Sequence, residues 1–326
     1  MTAQIIDGRR VAEELRRLLR ERVGALNAAG GSAGIGTLRV GDDFGARMYR
    51  GAVAKTCSGL GLRSRAVDLP STAGREEVEE ALQSLNVDEG VSGILLLRPL
   101  PPHLEEASLA ERILPHKDID CLNPANLGRL FGGRRAWPPA TPAACLELME
   151  RRLAEQGVPA AEGFAGAHVV IVGRSPSVGR PLAAMVLNRH ATLTVCHSHS
   201  ARAGVLVEIC READYLVAAI GVAELIRAEH VKPGATVIDV GINEVVECAG
   251  CGRRVPGLVA EPADVTQVCP ACGGLLDGSR RVTVGDVAFA EVAEVAGALT
   301  PVPGGVGAVT NVMLARNAVA AAEMTR

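Results

Sequence analysis

The amino-acid sequence predicts an α/β protein with two domains, the second of which contains a short cysteine-rich insertion. Three observations support this fold class. Apolar strand-like runs alternate with helical segments along most of the 326 residues. An apolar strand over 168–172 leads directly into a glycine-containing turn and a helix, and two CxxC pairs lie close together in the last third of the chain. Alternating strands and helices favour parallel sheets covered by helices, and a chain of this length usually holds two domains.

The first domain is predicted from a regular alternation of elements. Residues 9–28 place apolar side chains at helical spacing with arginines opposite, which is typical of an amphipathic helix. Strands are then predicted over 34–41, 63–69 and 91–97, and helices over 46–60 and 75–85. Prolines between positions 99 and 102 end this series. A helix over 145–156 is predicted to link the two domains.

The second domain is predicted to begin with the apolar strand over 168–172. A turn that contains Gly173 and Gly179 follows, and then a helix over 181–188. Further strands are predicted over 192–196, 215–219 and 236–240, and the last element is an alanine-rich helix over 311–323. This spacing is typical of a doubly wound sheet that binds a dinucleotide.

The glycine turn predicts where a nucleotide would bind, and of which kind. The helix after it offers free N–H groups and a positive dipole end to a pyrophosphate. NAD-binding proteins usually place an acid at the end of the second strand, where it binds the ribose 2′-hydroxyl. Here residues 196–200 contain two histidines and two serines but no carboxylate, and Arg174 follows the first strand. This combination favours the 2′-phosphate of NADP, although each histidine taken singly is most simply an exposed polar residue.

A second ligand loop is predicted at 300–307, with the sequence TPVPGGVG. Two prolines stiffen it, and three glycines allow a ligand to approach the backbone closely. The alternative is an ordinary turn before the last helix. The density of prolines and glycines favours a ligand loop, with Pro303, Gly304 and Gly305 at its centre.

The two CxxC pairs predict a structural zinc site in a ribbon-like insertion over 244–281. Each pair is followed by a glycine, and four thiolates complete a tetrahedral site without an open position; the ligands are Cys248, Cys251, Cys269 and Cys272. Two disulfides are the alternative. They are disfavoured because the other five cysteines stand singly and because the N-terminal residues lack the apolar run of a secretory signal. The predicted location is therefore cytoplasmic.

Charge and hydropathy disfavour two classes of partner. The formal net charge is −3, and the basic residues of the insertion are four arginines among several acids, so the sequence predicts no nucleic-acid partner. No apolar run reaches the roughly 18 residues that a membrane-spanning helix needs, so no membrane partner is predicted.

Five segments, in order along nearly the whole chain outside the insertion, resemble the methylenetetrahydrofolate dehydrogenase/cyclohydrolase (FolD) family. They are IIDG at 5–8, KDIDCLNPANLGRL at 117–130, GRSPSVGRP at 173–181, VIDVGIN at 237–243 and TPVPGGVG at 300–307. The resemblance implies a homodimer whose folate substrate lies in a cleft between two domains, with NADP on the second. The expected domains are a folate domain over 1–145 completed by 305–326, and a Rossmann-like NADP domain over 146–304 that carries the 244–281 insertion.

The resemblance also implies roles for single residues. Tyr49 corresponds to the tyrosine that stacks on the folate ring, and Asp120 to the aspartate that binds the pterin; both are expected in the catalytic site. A carboxylate suits the pterin, which presents two N–H donors side by side. The loop residues Pro303, Gly304 and Gly305 are expected near the folate. The expected NADP contacts are Gly173, Arg174, Ser175, Gly179, Ser198 and Ile242.

Three positions depart from the pattern of the family. Val53 stands where the family has its catalytic lysine, Leu97 replaces the glutamine of its VQLPLP motif, and Ala46 replaces a serine. Lys55 lies about 200° around the helix from Val53, and Arg98 is expected on the opposite side of an extended segment from Leu97.

The expected function is therefore an NADP-dependent 5,10-methylenetetrahydrofolate dehydrogenase of one-carbon metabolism, with reduced cyclohydrolase activity. One alternative is a fully bifunctional enzyme, in which Arg98 or Lys55 supplies the missing group. The other is a protein that binds folate and NADP without turnover and docks a partner through its zinc ribbon.

Overall fold

The computed structural model describes residues 2–134, 137–159, 162–256, 268–276 and 278–325. Within them the helices are α1 (Gly8–Ala28), α2 (Phe44–Leu60), α3 (Arg75–Asn86), α4 (Glu106–Ala110), α5 (Pro124–Phe131), α6 (Ala140–Glu155), α7 (Gly179–Leu187), α8 (Ser198–Arg202), α9 (Leu206–Cys210), α10 (Phe289–Ala293) and α11 (Val306–Met324). The strands are β1 (Gln4–Ile5), β2 (Gly34–Val40), β3 (Arg63–Leu69), β4 (Gly93–Leu96), β5 (His168–Val172), β6 (Thr192–Cys196), β7 (Tyr215–Ala218), β8 (Thr236–Asp239), β9 (Asn243–Glu247), β10 (Arg254–Pro256), β11 (Arg280–Val284) and β12 (Ala298–Leu299).

The chain forms two compact units, which are named here after their main sheets. The six-stranded unit contains Met1–Gly8, Leu148–Arg174 and Arg189–Val306. The three-stranded unit contains Arg9–Glu147, Ser175–Asn188 and Gly307–Arg326. The division falls inside the glycine turn, so that α7 is assigned to the three-stranded unit. None of the helices that the structure describes is long and apolar enough to cross a membrane.

The sheet of the six-stranded unit is parallel throughout. Its strand order is β1-β12-β8-β7-β5-β6. All four residues of β7 and of β8 are buried, as are the last four of β5. Nearly continuous apolar strands of this kind are expected where helices cover both faces of a parallel sheet. The predicted α/β fold with a dinucleotide-binding type of sheet is confirmed.

The three-stranded unit is built on a second parallel sheet, of order β3-β2-β4. Apolar side chains from β2, β4 and α3 form its core, including Leu38, Leu82 and Ile94, each of which is fully buried. Helix α2 starts at Phe44 because Asp43 caps it: the Asp43 carboxylate accepts the Ala46 N–H at 2.8 Å. This cap fixes the direction in which α2 presents its side chains.

The insertion forms a small antiparallel sheet of order β10-β9-β11. Its strands join a cysteine cluster to the six-stranded unit. Cys248 and Cys269 are buried there together with Val255. Residues 257–267 and 277 of the predicted ribbon lie outside the described residues.

Two helices begin five residues earlier than the sequence predicts, while α1, α2 and α7 begin one or two residues earlier. Helix α11 starts at Val306 rather than at 311, and α6 starts at Ala140 rather than at 145. The glycines and prolines before them indicated loops, but buried residues extend each helix: Val306 and Val309 in α11, and Ala143 and Ala144 in α6. Tertiary packing therefore outweighs the local preference.

Candidate active site

Helix α2 places Tyr49 and Val53 one turn apart on the same face. Val53 is 1% exposed, whereas Tyr49 is half-buried. Burial and the nearby Asp120 carboxylate raise the pKa of the Tyr49 phenol, and Arg98 opposes that rise. Lys55 is exposed. The helix thus presents an aromatic ring and an aliphatic side chain to the site, and it turns its lysine toward solvent.

The segment before α5 carries two acids with different tasks. The Asp118 carboxylate accepts hydrogen bonds from the Leu122 and Asn123 N–H groups at 2.8 and 2.9 Å, and from the Asn126 side chain. Asp118 therefore holds the backbone of the segment. Asp120 accepts only the Ala140 N–H, at 2.9 Å, among the hydrogen bonds of the described residues. Its second carboxylate oxygen remains available to a ligand.

Arg98 reaches Asp120, although the sequence placed it on the side of the chain away from Leu97. Its Nη2 lies 3.7 Å from Asp120 Oδ2, and its Nη1 lies 3.5 Å from Glu106 Oε1. Leu97 is 2% exposed, whereas the Arg98 side chain is 35% exposed. The Arg98 guanidinium thus lies beside the pterin-binding candidate rather than away from the site. Sequence reasoning missed this because the contact depends on where the 117–120 segment packs.

The remaining positions of the expected catalytic cluster are apolar and buried. Ala46 is 3% exposed, and Leu97 and Val53 are less so. The Lys117 ammonium donates to the backbone carbonyls of Leu85 and Asp88, so this lysine supports the loop before β4. Neither Val53 nor Leu97 can transfer a proton.

The end of β5 carries the predicted nucleotide-binding residues of the six-stranded unit. Gly173 has φ +129°, and a Cβ there would collide with the carbonyl of Ala219, so a close approach of two strand ends requires glycine. Arg174 is exposed and acts on His197, whose pKa is lowered by desolvation first and by the Arg174 charge second. Arg174 is therefore within electrostatic reach of His197, and no acid stands between β6 and α8.

Ser198 is the first residue of α8 rather than a strand end. His197 caps this short helix: its Nδ1 accepts the His199 N–H at 3.3 Å, while Ser200 Oγ accepts the His197 N–H at 3.3 Å. Ser198 and His199 remain exposed. In the three-stranded unit, Ser175 Oγ accepts the Val178 N–H at 3.1 Å and so orders the turn before Gly179.

Asp286 is a site residue that the sequence analysis missed. It is fully buried, and its carboxylate accepts the N–H groups of Ile220, Gly221 and Val222 at 2.6, 3.0 and 3.1 Å. It also accepts the Asn243 side-chain amide at 2.9 Å. One carboxylate therefore holds the loop after β7 together with the start of β9.

Ile242, an expected NADP contact, lies directly before Asn243 and is 69% exposed. An available signal for Asp286 was its position directly after Gly285 in VGDV, together with the similar acid Asp239 two residues before Gly241 in VIDVG. A Cβ at Gly241 would collide with the Asp286 carboxylate, so that glycine makes the packing possible.

The 300–307 loop approaches the N-terminal segment within the six-stranded unit. Gly304 has φ +116°, which favours glycine, and a Cβ at Gly8 would collide with the Gly305 carbonyl. The IIDG segment and the TPVPGGVG loop are thus brought together, while Pro303 remains exposed. The ligand roles of Pro303, Gly304 and Gly305 stay predictions.

The four ribbon cysteines converge on one point. Their sulfur atoms all lie within 4.8 Å of one another, with Cys248–Cys272 at 3.8 Å and Cys251–Cys269 at 3.7 Å. A tetrahedral zinc with Zn–S bonds of about 2.3 Å requires sulfur separations of about 3.8 Å. The two turns are alike, since Gly252 N–H donates to Cys248 O and Gly273 N–H donates to Cys269 O, both at 2.8 Å. The donor set fits a zinc ion.

The pKa values of two of the thiols reflect how closely the four sulfur atoms lie together. N–H groups of Ala271 and Cys272 lower the pKa of Cys269 to about 7. An N–H bond from Arg253 lowers the pKa of Cys251, but burial and the three neighbouring thiols raise it to about 11. A bound cation would offset the mutual repulsion of four neighbouring thiolates.

Comparison with known proteins identifies the family. Residues 6–120 match the catalytic domain of tetrahydrofolate dehydrogenase/cyclohydrolase, and residues 139–326 match its NAD(P)-binding domain. The chain is 40% identical over 321 residues to "Bifunctional protein FolD 3" of Rubrobacter xylanophilus, covering 98% of this chain and 92% of that protein. It is 39% identical over 320 residues to "Bifunctional protein FolD" of Solibacter usitatus, covering 98% and 97%.

Two solved structures match this chain over nearly its whole length. The bifunctional FolD enzyme of Campylobacter jejuni matches with a TM-score of 0.82 at 31% identity, covering 99% of this chain and 100% of that one. The Trypanosoma brucei enzyme, whose structure contains NADP and an inhibitor, matches with a TM-score of 0.81 at 33% identity, covering 100% and 99%. The chain therefore belongs to the tetrahydrofolate dehydrogenase/cyclohydrolase family.

Proposed function

We propose that this protein is an NADP-dependent 5,10-methylenetetrahydrofolate dehydrogenase of one-carbon metabolism, in which hydrolysis of the methenyl product is slow. The observation that carries the proposal is the arrangement of Tyr49, Asp120 and Arg98 beside the buried, apolar Val53 and Leu97. The groups expected to bind folate are present, and those expected to move protons are replaced by hydrocarbon.

Oxidation of the methylene group makes modest chemical demands on this chain. NADP, when bound, accepts the hydride. Tyr49 would stack on the pterin, and the Asp120 carboxylate would accept its paired N–H donors, so that both side chains hold the methylene carbon in place. The product is a methenyl cation stabilised by two nitrogens, and no proton must be transferred. The contribution of the protein is positioning, which needs no acid or base.

Hydrolysis of the methenyl product makes larger demands. Water adds to the cation and a C–N bond then breaks, so protons must leave the water and reach the departing nitrogen. Val53, Leu97 and Ala46 cannot carry them. Lys55 is exposed, on another face of α2. Separate assays of NADP reduction with methylenetetrahydrofolate and of methenyltetrahydrofolate hydrolysis test the proposal; equal rates would support the bifunctional alternative.

That bifunctional alternative has its own support. Relatives about 40% identical are named bifunctional, and Arg98 lies closer to Asp120 than the sequence indicated. If neither reaction is detected while NADP still binds, the chain is a non-catalytic binding protein. The homodimer and the predicted domain boundaries remain part of the proposal, and light scattering of the purified protein checks the former.

The residues at the end of β5 support NADP rather than NAD. Arg174 is exposed beside His197, and Ser198 follows without an acid. The Arg174→Ala substitution is expected to weaken NADP binding about 10–100-fold, the loss of a charge-assisted hydrogen bond. NAD binding should change little, because NAD lacks the 2′-phosphate. Isothermal titration calorimetry with both nucleotides measures this.

A matched control for this test is Arg211→Ala, which removes an exposed arginine just after α9. It should leave both affinities unchanged. Equal losses for NADP and NAD in the Arg174 variant would show that this arginine does not distinguish the two cofactors.

We further propose that the ribbon binds one zinc ion, held by Cys248, Cys251, Cys269 and Cys272. The sulfur separations of 3.7 and 3.8 Å support tetrahedral coordination. Four thiolates leave no open position for a substrate, so the role of the ion is structural. Folate derivatives and NADP remain the proposed small-molecule partners of the enzyme.

A further inference from the structure

We propose that Arg98 is a positioning residue, which holds the Asp120 carboxylate charged and oriented for the paired N–H donors of a pterin ring. The proposal rests on the proposed function, because it assigns the pterin to Asp120. The resemblance places an apolar residue of the VQLPLP motif at position 98, so this cation is a departure from the pattern. Arg98 lies in the same expected site in which Val53 replaces the lysine of the family.

The distances suit a cation that acts on the carboxylate without occupying it. Arg98 Nη2 is 3.7 Å from Asp120 Oδ2, which is longer than a hydrogen bond. Oδ1 already accepts the Ala140 N–H at 2.9 Å. Oδ2 therefore feels the positive charge but keeps its lone pairs free for a ligand. The Asp120 side chain is 12% exposed, so the charge is only partly screened by water.

The surroundings of Asp120 otherwise favour the neutral acid. Burial raises its pKa most; the Ala140 N–H and Arg98 lower it, and the carboxylates of Asp118 and Glu106 raise it. Tyr49 also lies near this group, and the Asp120 charge contributes to the raised pKa of the Tyr49 phenol. Arg98 is the cation among these neighbours. A protonated Asp120 could accept fewer N–H bonds, so loss of Arg98 should weaken pterin binding more at low pH than at high pH.

A simpler interpretation is that Arg98 forms a surface ion pair with Glu106. The two side chains are 35% and 42% exposed, and their closest contact is 3.5 Å. Pairs of this kind contribute little to stability. The two interpretations differ in the effect of Glu106. If Arg98 acts on Asp120, removing the negative charge of Glu106 should strengthen the effect of Arg98 on the Asp120 carboxylate. If Arg98 only pairs with Glu106, Arg98→Leu and Glu106→Gln should change the pH profiles in the same way.

The test compares pH profiles of kcat/KM for methylenetetrahydrofolate, and of the affinity for folic acid measured by calorimetry. Arg98→Leu should shift the acid limb of both profiles to a pH about one unit higher. At pH values below that limb, kcat/KM and the affinity for folic acid should therefore fall about tenfold. Arg98→Lys should restore much of the wild-type profile. Glu106→Gln should move the limb downward. NADP affinity should be unchanged in all three variants.

Asp120→Asn supplies the control, since Arg98→Leu should cause no further shift in that background. An unchanged profile in Arg98→Leu, or identical profiles in Arg98→Leu and Glu106→Gln, would overturn the role of Arg98. A wild-type protein that binds folic acid but does not oxidise methylenetetrahydrofolate would instead overturn the proposed function. The folic acid titrations would still decide the role of Arg98.

Discussion

Methenyltetrahydrofolate hydrolysis is expected to rise about 10²–10⁴-fold in Val53→Lys, which is the usual contribution of a positioned acid or base. Val53 is buried one helical turn after Tyr49. Long side chains on a helix lean toward the preceding turn, so the new ammonium should reach the ring of Tyr49. Leu97→Gln in the same chain should raise the rate further. Single-turnover hydrolysis, measured by the loss of methenyl absorbance, gives the result.

Val53→Met is the matched control, because methionine is similarly long but carries no proton. It should leave hydrolysis at the wild-type level. Lys55→Met should also have no effect, since Lys55 is exposed. A wild-type protein that hydrolyses the methenyl product as fast as it forms it would contradict the expectation, and loss of hydrolysis in Lys55→Met would identify the exposed lysine as its source.

Loss of one zinc ligand is expected to unfold the ribbon. Apparent zinc-binding free energies in structural cysteine sites are about 10–16 kcal/mol, and that energy is available to fold the segment that supplies the ligands. Cys269→Ser should reduce bound zinc from one ion to none. Amide hydrogen exchange should rise in β10 and in the turns around Cys248 and Cys272. Elemental analysis and exchange mass spectrometry measure the two effects.

Cys145→Ser is the control for this experiment, because Cys145 is a buried thiol of α6 outside the cluster. It should keep one zinc per chain. Wild-type protein purified without chelator and found free of zinc would contradict the metal proposal. Altered NADP affinity in Cys269→Ser would show that the ribbon communicates with the nucleotide loops, through β9 and Asn243, rather than acting as a separate module.

Local patterns predicted the parts of the fold that local forces determine. The bounds of β3 (Arg63–Leu69) and β6 (Thr192–Cys196) match the predicted strands, and the convergence of the four cysteines follows from CxxC spacing. Helix α5 was not predicted, although its signal was present: Asn123 caps it and Pro124 occupies its first position.

The parts that sequence could not predict depend on contacts between distant segments. Arg98, two residues after β4, meets Asp120 because β4 runs parallel to the 117–120 segment, where Ile94 N–H donates to Lys117 O at 2.7 Å. Asp286 holds a loop 64 to 66 residues earlier in the chain. Contacts between residues so far apart in the chain produce no periodic side-chain pattern from which they could be predicted. The contribution of Val53 to hydrolysis, and the NADP preference, stay predictions from the sequence until they are measured.

The antiparallel stem of the ribbon makes it an excisable cassette. Glu247 of β9 stands opposite Arg280 of β11 in register, so a two-residue Asn-Gly turn could join them and close a plain hairpin. Such a deletion of 248–279 keeps Asn243 on the Asp286 carboxylate, and it removes the ion pair between Arg254 and Glu224. The same junction would accept a foreign domain in place of the ribbon.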